Sequence, residues 1–124
     1  MLEEMKFAAL LAKLVTGDPE AGKDNVIFDL ATRCGAEAFG IDAGVIAEGK
    51  LADAILVDLD SPLMVGNYNL IANMVYSADS SVIDTVICGG RILMRNRHVP
   101  GEEEIIANAR NVCRKIQSSQ PETV

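Results

Sequence analysis

The chain has 124 residues, the size of one ordinary domain, and 49% of them are hydrophobic, enough for a real core. A formal charge of −7 excludes nucleic acid and anionic membrane surfaces as partners, because phosphate neutralisation needs clustered Lys and Arg. The three cysteines, Cys34, Cys88 and Cys113, form no CxxC, so neither a zinc knuckle nor a redox pair is indicated, and scattered buried thiols in a reducing cytosol are expected.

The opening stretch MLEEMKFAALLAKLV is not a signal peptide: two glutamates precede its apolar part and no small-residue cleavage site follows. No apolar run reaches the ~20 residues that cross a bilayer, so a soluble, cytoplasmic protein is expected. Leu2–Val15 is predicted as a helix, apolar nearly all round and therefore buried among other elements, and Thr16-Gly17-Asp18-Pro19 stops it. Asn25–Arg33 reads as a short helix broken at Cys34-Gly35, followed by a helical turn over Ala36–Phe39 closed by Gly40. Ile41–Gly49 is a loop with an extended piece at Val45-Ile46. In GKLADAILVDLD, a Gly-Lys turn at Gly49 leads into the strand Ala52–Leu59, too apolar for a sheet edge, and Asp60-Ser61-Pro62 ends it. Leu70–Tyr76 suits a short helix. Val82–Cys88 and Arg91–Arg95 are strands joined by Gly89-Gly90 as a type I′ hairpin, with a second turn at Asn96-Arg97 and a strand stub at His98-Val99. The last helix, Glu102–Ser118, carries its apolar face on Ile105, Ala109, Val112, Cys113 and Ile116, with three glutamates in its first turn and Arg114-Lys115 in its last, both complementing the dipole. Ser119–Val124 is read as a disordered tail.

Candidates for chemistry are few. His98 is the lone histidine and stands in a turn beside Arg97, which favours an exposed side chain over a metal ligand. Asp58 and Asp60 point to one face at a strand exit, which suits a solvated cap more than an acid–base pair. Asp53 is expected to accept N–H bonds from the turn before it. Asp42, Asp79 and Asp84 read as loop or surface residues, and Met5, Met64, Met74 and Met94 as core. Asn67-Tyr68-Asn69 is the one polar-aromatic cluster, more in keeping with a packed tyrosine than with a pocket. The residues alone define no catalytic centre.

Four ordered segments resemble a known family. Leu30–Gly40, LATRCGAEAFG, is similar to the ATxxGAxALG segment of amidohydrolases, and Ile46–Asp58, IAEGKLADAILVD, to the GxIxxGKxADLVLLD segment that follows it. Met74–Ala78 resembles the family's LVYSA stretch, and Val82–Arg95, VIDTVICGGRILMR, its closing hairpin. The branch most resembled comprises deaminases and chlorohydrolases acting on adenosine derivatives, guanine, cytosine or triazines. The resemblance implies a metal-dependent (β/α)8 barrel with a small β-sandwich, of which this chain is similar to the C-terminal quarter. The fold class expected is α+β, with terminal barrel helices, half of a β-sandwich with a Gly-Gly hairpin, and a C-terminal helix. On that reading residues 1–44 hold the last barrel helices and 45–99 the sandwich strands with a helical insertion near 70–76. Residues 100–118 form the final helix and 119–124 the tail.

The family's metal ligands, a His-x-His pair, two further histidines and an aspartate, match no position here. No catalytic or metal residue is therefore carried over. The matching positions are structural: Gly35, Gly49, Asp53 and Gly90. No cofactor is expected in this chain, while its full-length relatives are expected to hold a divalent metal, zinc or iron. The expectation is an amidohydrolase portion, inactive alone. It would either be completed by a complementary amidohydrolase chain or self-associate as a homodimer that buries the first helix. An unrelated α+β enzyme would have to draw on Asp58, Asp60 and Tyr68.

Overall fold

The structure is a computed structural model and describes residues 1–66 and 68–119. Helices come first: α1 (Leu2–Thr16), α2 (Asp24–Ala31) and α3 (Arg33–Phe39). Strand β1 (Ala54–Val57), helix α4 (Leu70–Tyr76), a 3₁₀ turn (Ser80–Val82), β2 (Ile83–Cys88), β3 (Arg91–Met94) and α5 (Glu102–Ser119) complete the order. The architecture is mixed: a helical layer beside a small antiparallel sheet of order β1-β2-β3.

α1 ends where Gly17 takes a left-handed φ of 68°. α4 begins at Asn69, whose side chain accepts the Ala72 N–H at 3.0 Å and also donates to Asp24 at 2.8 Å. The break between α2 and α3 differs from the expectation. It falls at Thr32 (φ −124°, ψ −95°), and Cys34 and Gly35 lie inside α3. The Thr32 hydroxyl donates to the Phe28 carbonyl at 2.7 Å while its carbonyl accepts the Ala36 N–H, so one residue ends one helix and starts the next. Arg33 then bridges the break, pairing with Asp29 at 2.6 Å and Glu37 at 2.9 Å.

The core has two clusters. Met5, Ala9, Ile27 and Val75 pack α1, α2 and α4 together. Met64, Met74, Ala78 and Val82 join α4 to the sheet. Leu2 and Phe28 touch both clusters. Most of α1 is nevertheless uncovered: only Met5 and Ala9 are buried, while Phe7 is 64% and Leu14 77% exposed. The all-round apolar helix therefore keeps one face inside the chain and presents the other.

β1 departs from expectation in the same way. It spans four residues and is an edge strand, paired with β2 (Ala54 opposite Ile87, Val57 opposite Ile83, with a bulge between Leu56 and Val57). Ile55 and Leu56 are about half exposed. Val45–Ala52 forms no strand. β2 and β3 join through Gly89-Gly90, at φ 53° and 74°, with Cys88 opposite Arg91. Both central residues sit where a side chain is disfavoured, as a type I′ turn requires. Asn96 and Arg97, at φ 50° and 61°, make the second turn, and Arg95 bridges His98. α5 runs to Ser119, so Arg114 and Lys115 lie before its last turn, which holds no basic residue. The tail read as disordered falls, from Gln120 onward, outside the described residues.

Candidate functional site

The N-terminal turn of β1 is clamped to the hairpin. Asp53 Oδ1 accepts the Gly89 N–H at 2.6 Å, and the Ala52 carbonyl accepts the Gly90 N–H at 2.9 Å. Asp53 thus bonds a turn 36 residues away, not the turn before it. Gly90 lies close enough to Ala52 that an added Cβ would make ordinary contact at 3.9 Å. Gly49, at φ 82°, turns the chain in open space, and Gly35 sits in α3. Sequence reasoning overlooked Gly44. A Cβ there would meet the Thr32 carbonyl oxygen at 2.6 Å and Arg33 Cα at 2.8 Å, so this loop lies directly on the α2–α3 break. A lone glycine between Ala43 and Val45 offered no periodic signal to single it out.

The other end of the sheet is held by Arg97. Its guanidinium donates to Asp58 Oδ2 at 2.6 Å and to the Ser81 carbonyl at 2.8 Å, and its own N–H bonds the Asp84 carbonyl. Asp58 also accepts the Asp60 N–H at 3.0 Å. The Arg97 hydrogen bond, followed by that of Asp60, holds the Asp58 carboxyl below its ordinary value. A general acid at neutral pH needs the opposite shift, so Asp58 is a structural ion-pair partner. Asp79 caps the 3₁₀ turn through Ser81, and Asp42 pairs with Lys50 at 2.8 Å. Tyr68 is fully exposed, neither packed nor lining a pocket. Asn67 lies outside the described residues.

Open concavities also lie among the described residues. One of about 310 Å³ lies along Ile92, Met94, Arg95, His98 and Pro100. Another, of about 430 Å³, lies among Arg33, Glu37, Asp42, Val45 and Lys50, where each cation already has a carboxylate partner. Among the described residues no three His, Cys, Asp or Glu side chains come together as a metal site. No helix among them is long and apolar enough to cross a membrane.

A family profile described as "Amidohydrolase family" matches residues 1–93, three quarters of the chain. The chain belongs to the amidohydrolase family. It is 47% identical over 122 residues to 5-methylthioadenosine/S-adenosylhomocysteine deaminase 1 of Archaeoglobus fulgidus, covering 96% of this chain and 29% of that protein. It is 48% identical over 110 residues to 5′-deoxyadenosine deaminase of Methanospirillum hungatei, covering 89% and 24%. Among solved structures it superimposes on a zinc-bound adenosine deaminase from Xanthomonas campestris with a TM-score of 0.86 and 29% identity, covering 95% of this chain and 28% of that one. For zinc-complexed atrazine chlorohydrolase of Arthrobacter aurescens the TM-score is 0.78 and the identity 27%, covering 90% and 26%. This amidohydrolase chain thus spans under a third of the length of these relatives. The zinc of those structures has no matching donor set among the described residues here, where His98 is the lone imidazole and stands exposed beside Arg97.

Proposed function

We propose that this chain is the C-terminal portion of a metal-dependent amidohydrolase that hydrolyses a C–N bond other than a peptide bond, deaminating an adenosine derivative. Alone it is catalytically inactive, and its work is to complete a barrel and supply the strands of a small sandwich. Deamination is favoured over chlorohydrolysis because identity to the named deaminases reaches 47–48%, against 27% for the chlorohydrolase. The observation that carries the reading is the pairing of a 0.86 TM-score with large uncovered apolar faces on α1 and β1. A surface of that kind is one that a larger body covers. On this reading α1–α3 are terminal barrel helices, β1–β3 are sandwich strands, and the location is cytoplasmic, in keeping with three unpaired cysteines, of which Cys88 and Cys113 are exposed and not buried as expected.

The test supplies zinc and 5′-deoxyadenosine to the purified chain and measures ammonia. None is expected. Adding a polypeptide that carries the first three quarters of the Archaeoglobus relative is expected to restore release, as one half of a split hydrolase restores the other. Turnover by the chain alone, or no association with the complement, overturns the reading.

A second reading, a self-associating scaffold that buries α1 in a homodimer, is favoured by the same exposed residues, Phe7, Leu10, Leu11, Leu14 and Val15. A complement that displaces the second copy would rank the enzyme reading above it.

A further inference from the structure

Past Ala9, α1 buries no side chain, although it continues to Thr16. The stripe that anchors the helix runs from Met5 to Ala9 at a spacing of four, and the next position on it is Lys13. A lysine thus stands where the pattern calls for another apolar residue. Its ammonium turns onto the segment that follows the helix. Lys13 Nζ donates to the Pro19 carbonyl at 2.9 Å and to the Ala21 carbonyl at 2.6 Å, and lies 6.0 Å from the centre of the Tyr76 ring on α4. Two carbonyls and an aromatic ring are what an ammonium with three donors can use at once. Residues 17–23 are in turn drawn tight against α1 as a strap. The Thr16 hydroxyl donates to the Ala12 carbonyl at 2.7 Å and accepts the Asp18 N–H at 3.2 Å, and the Asp18 carboxylate accepts the Glu20 N–H at 2.8 Å. At Gly22, φ 57°, an added Cβ would stand 2.9 Å from Ala12 Cβ, so the strap lies directly on the helix. The Gly22 carbonyl accepts a long hydrogen bond, 3.5 Å, from the Tyr76 hydroxyl.

We propose that Lys13 is a latch: held by two strap carbonyls and the Tyr76 ring, it fixes the second half of α1 to the strap and to α4, and so preforms the apolar face of Leu10, Leu11, Leu14 and Val15 for docking. The first half of α1 is held by burial of Met5 and Ala9; the second half has no such anchor and would fray without another. Hydrogen bonds from a charged donor are stronger than neutral ones, and here they tie together pieces that sequence alone leaves separate. An apolar side chain at position 13 could touch the Tyr76 ring but could not hold the strap. A face that is ordered before binding does not have to be ordered on binding, so the latch serves affinity without touching the partner. The docking role rests on the enzyme reading above; the latch itself does not.

Hydrogen–deuterium exchange on the 124-residue chain reads the latch. Lys13→Met keeps a long, helix-favouring side chain and removes the ammonium. The amides of Leu14 to Gly17 and of Ala21 are expected to exchange about tenfold faster, with those of β2 unchanged. Lys6→Met, at an exposed position of the same helix, is expected to change none of them. Unchanged exchange at Leu14 to Gly17 in Lys13→Met overturns the latch, as does a uniform rise that reaches β2, which would make Lys13 a support of the whole fold. Binding of the complement, the first three quarters of the Archaeoglobus relative, is expected to weaken about tenfold in Lys13→Met, mainly through slower association. Equal binding by variant and parent overturns the docking role. A parent chain that does not bind the complement overturns the enzyme reading and the docking role with it, while exchange in the isolated chain still decides the latch.

Discussion

Arg97 occupies a left-handed conformation, φ 61°, that type I′ turns usually give to Gly or Asn. Its side chain offsets that cost by joining the exit of β1 to the 3₁₀ turn, while its backbone N–H bonds the Asp84 carbonyl of β2. The pair has a pH signature. The Asp58 pKa is lowered in the folded chain, so its contribution is present above the ordinary carboxylate range and is lost as pH falls through the lowered value. Thermal melts of Asp58→Asn should therefore lie below those of the parent at neutral pH, and the gap should close below about pH 4. A gap independent of pH would mean that the carboxylate charge is not what Arg97 reads. At the opposite end, Asp53→Ala removes the acceptor of the Gly89 N–H and should cost about 1 kcal/mol in urea unfolding. Asp53→Asn, which keeps an acceptor oxygen, should recover part of it. Gly44→Ala should cost more than either, above about 2 kcal/mol, because it combines a positive φ of 81° with backbone atoms inside 3 Å of the new Cβ.

Among the elements, α4 is the hinge of the packing. Its neighbours Met74 and Val75 point into different clusters, one toward the sheet and one toward α1 and α2. Met74→Ala should cost about 2–4 kcal/mol and loosen both layers together, seen as one shifted unfolding transition by fluorescence and circular dichroism. Two separated transitions would mean that the clusters fold independently. The apolar spacing of Leu70, Ile71, Met74 and Val75 made α4 legible to the residue, whereas the Asn69 cap that starts it was read only as part of a polar-aromatic cluster. The α2–α3 break was misread because Gly35 looked like punctuation, whereas the break depends on a Thr32 hydroxyl bond that no periodicity reveals. The Asp53–Gly89 and Asp58–Arg97 bonds were equally hidden: each joins residues more than 30 positions apart, which only the hairpin's return brings together. β1 shrank at both ends because pairing with β2 covers only Ala54–Val57.

At the scale of the whole molecule, surface area is the dominant fact. The chain exposes 9,405 Å², whereas a compact monomer of 13.3 kDa exposes roughly 6,500 Å². The excess is of the size that permanent interfaces bury, and much of it is apolar. A double change on the outer face of α1, Phe7→Gln with Leu14→Gln, separates that view from an ordinary core. Both side chains are more than half exposed, so the isolated chain should unfold within about 0.5 kcal/mol of its parent. Covering Phe and Leu against a complementary chain is worth about 1.5–3 kcal/mol each, so association with the first three quarters of a relative should weaken well beyond tenfold. Isothermal titration calorimetry on parent and variant reads both the affinity and the negative heat-capacity change of apolar burial. If affinity and heat capacity were unchanged in the variant, the outer face of α1 would not be the surface that the rest of the enzyme covers.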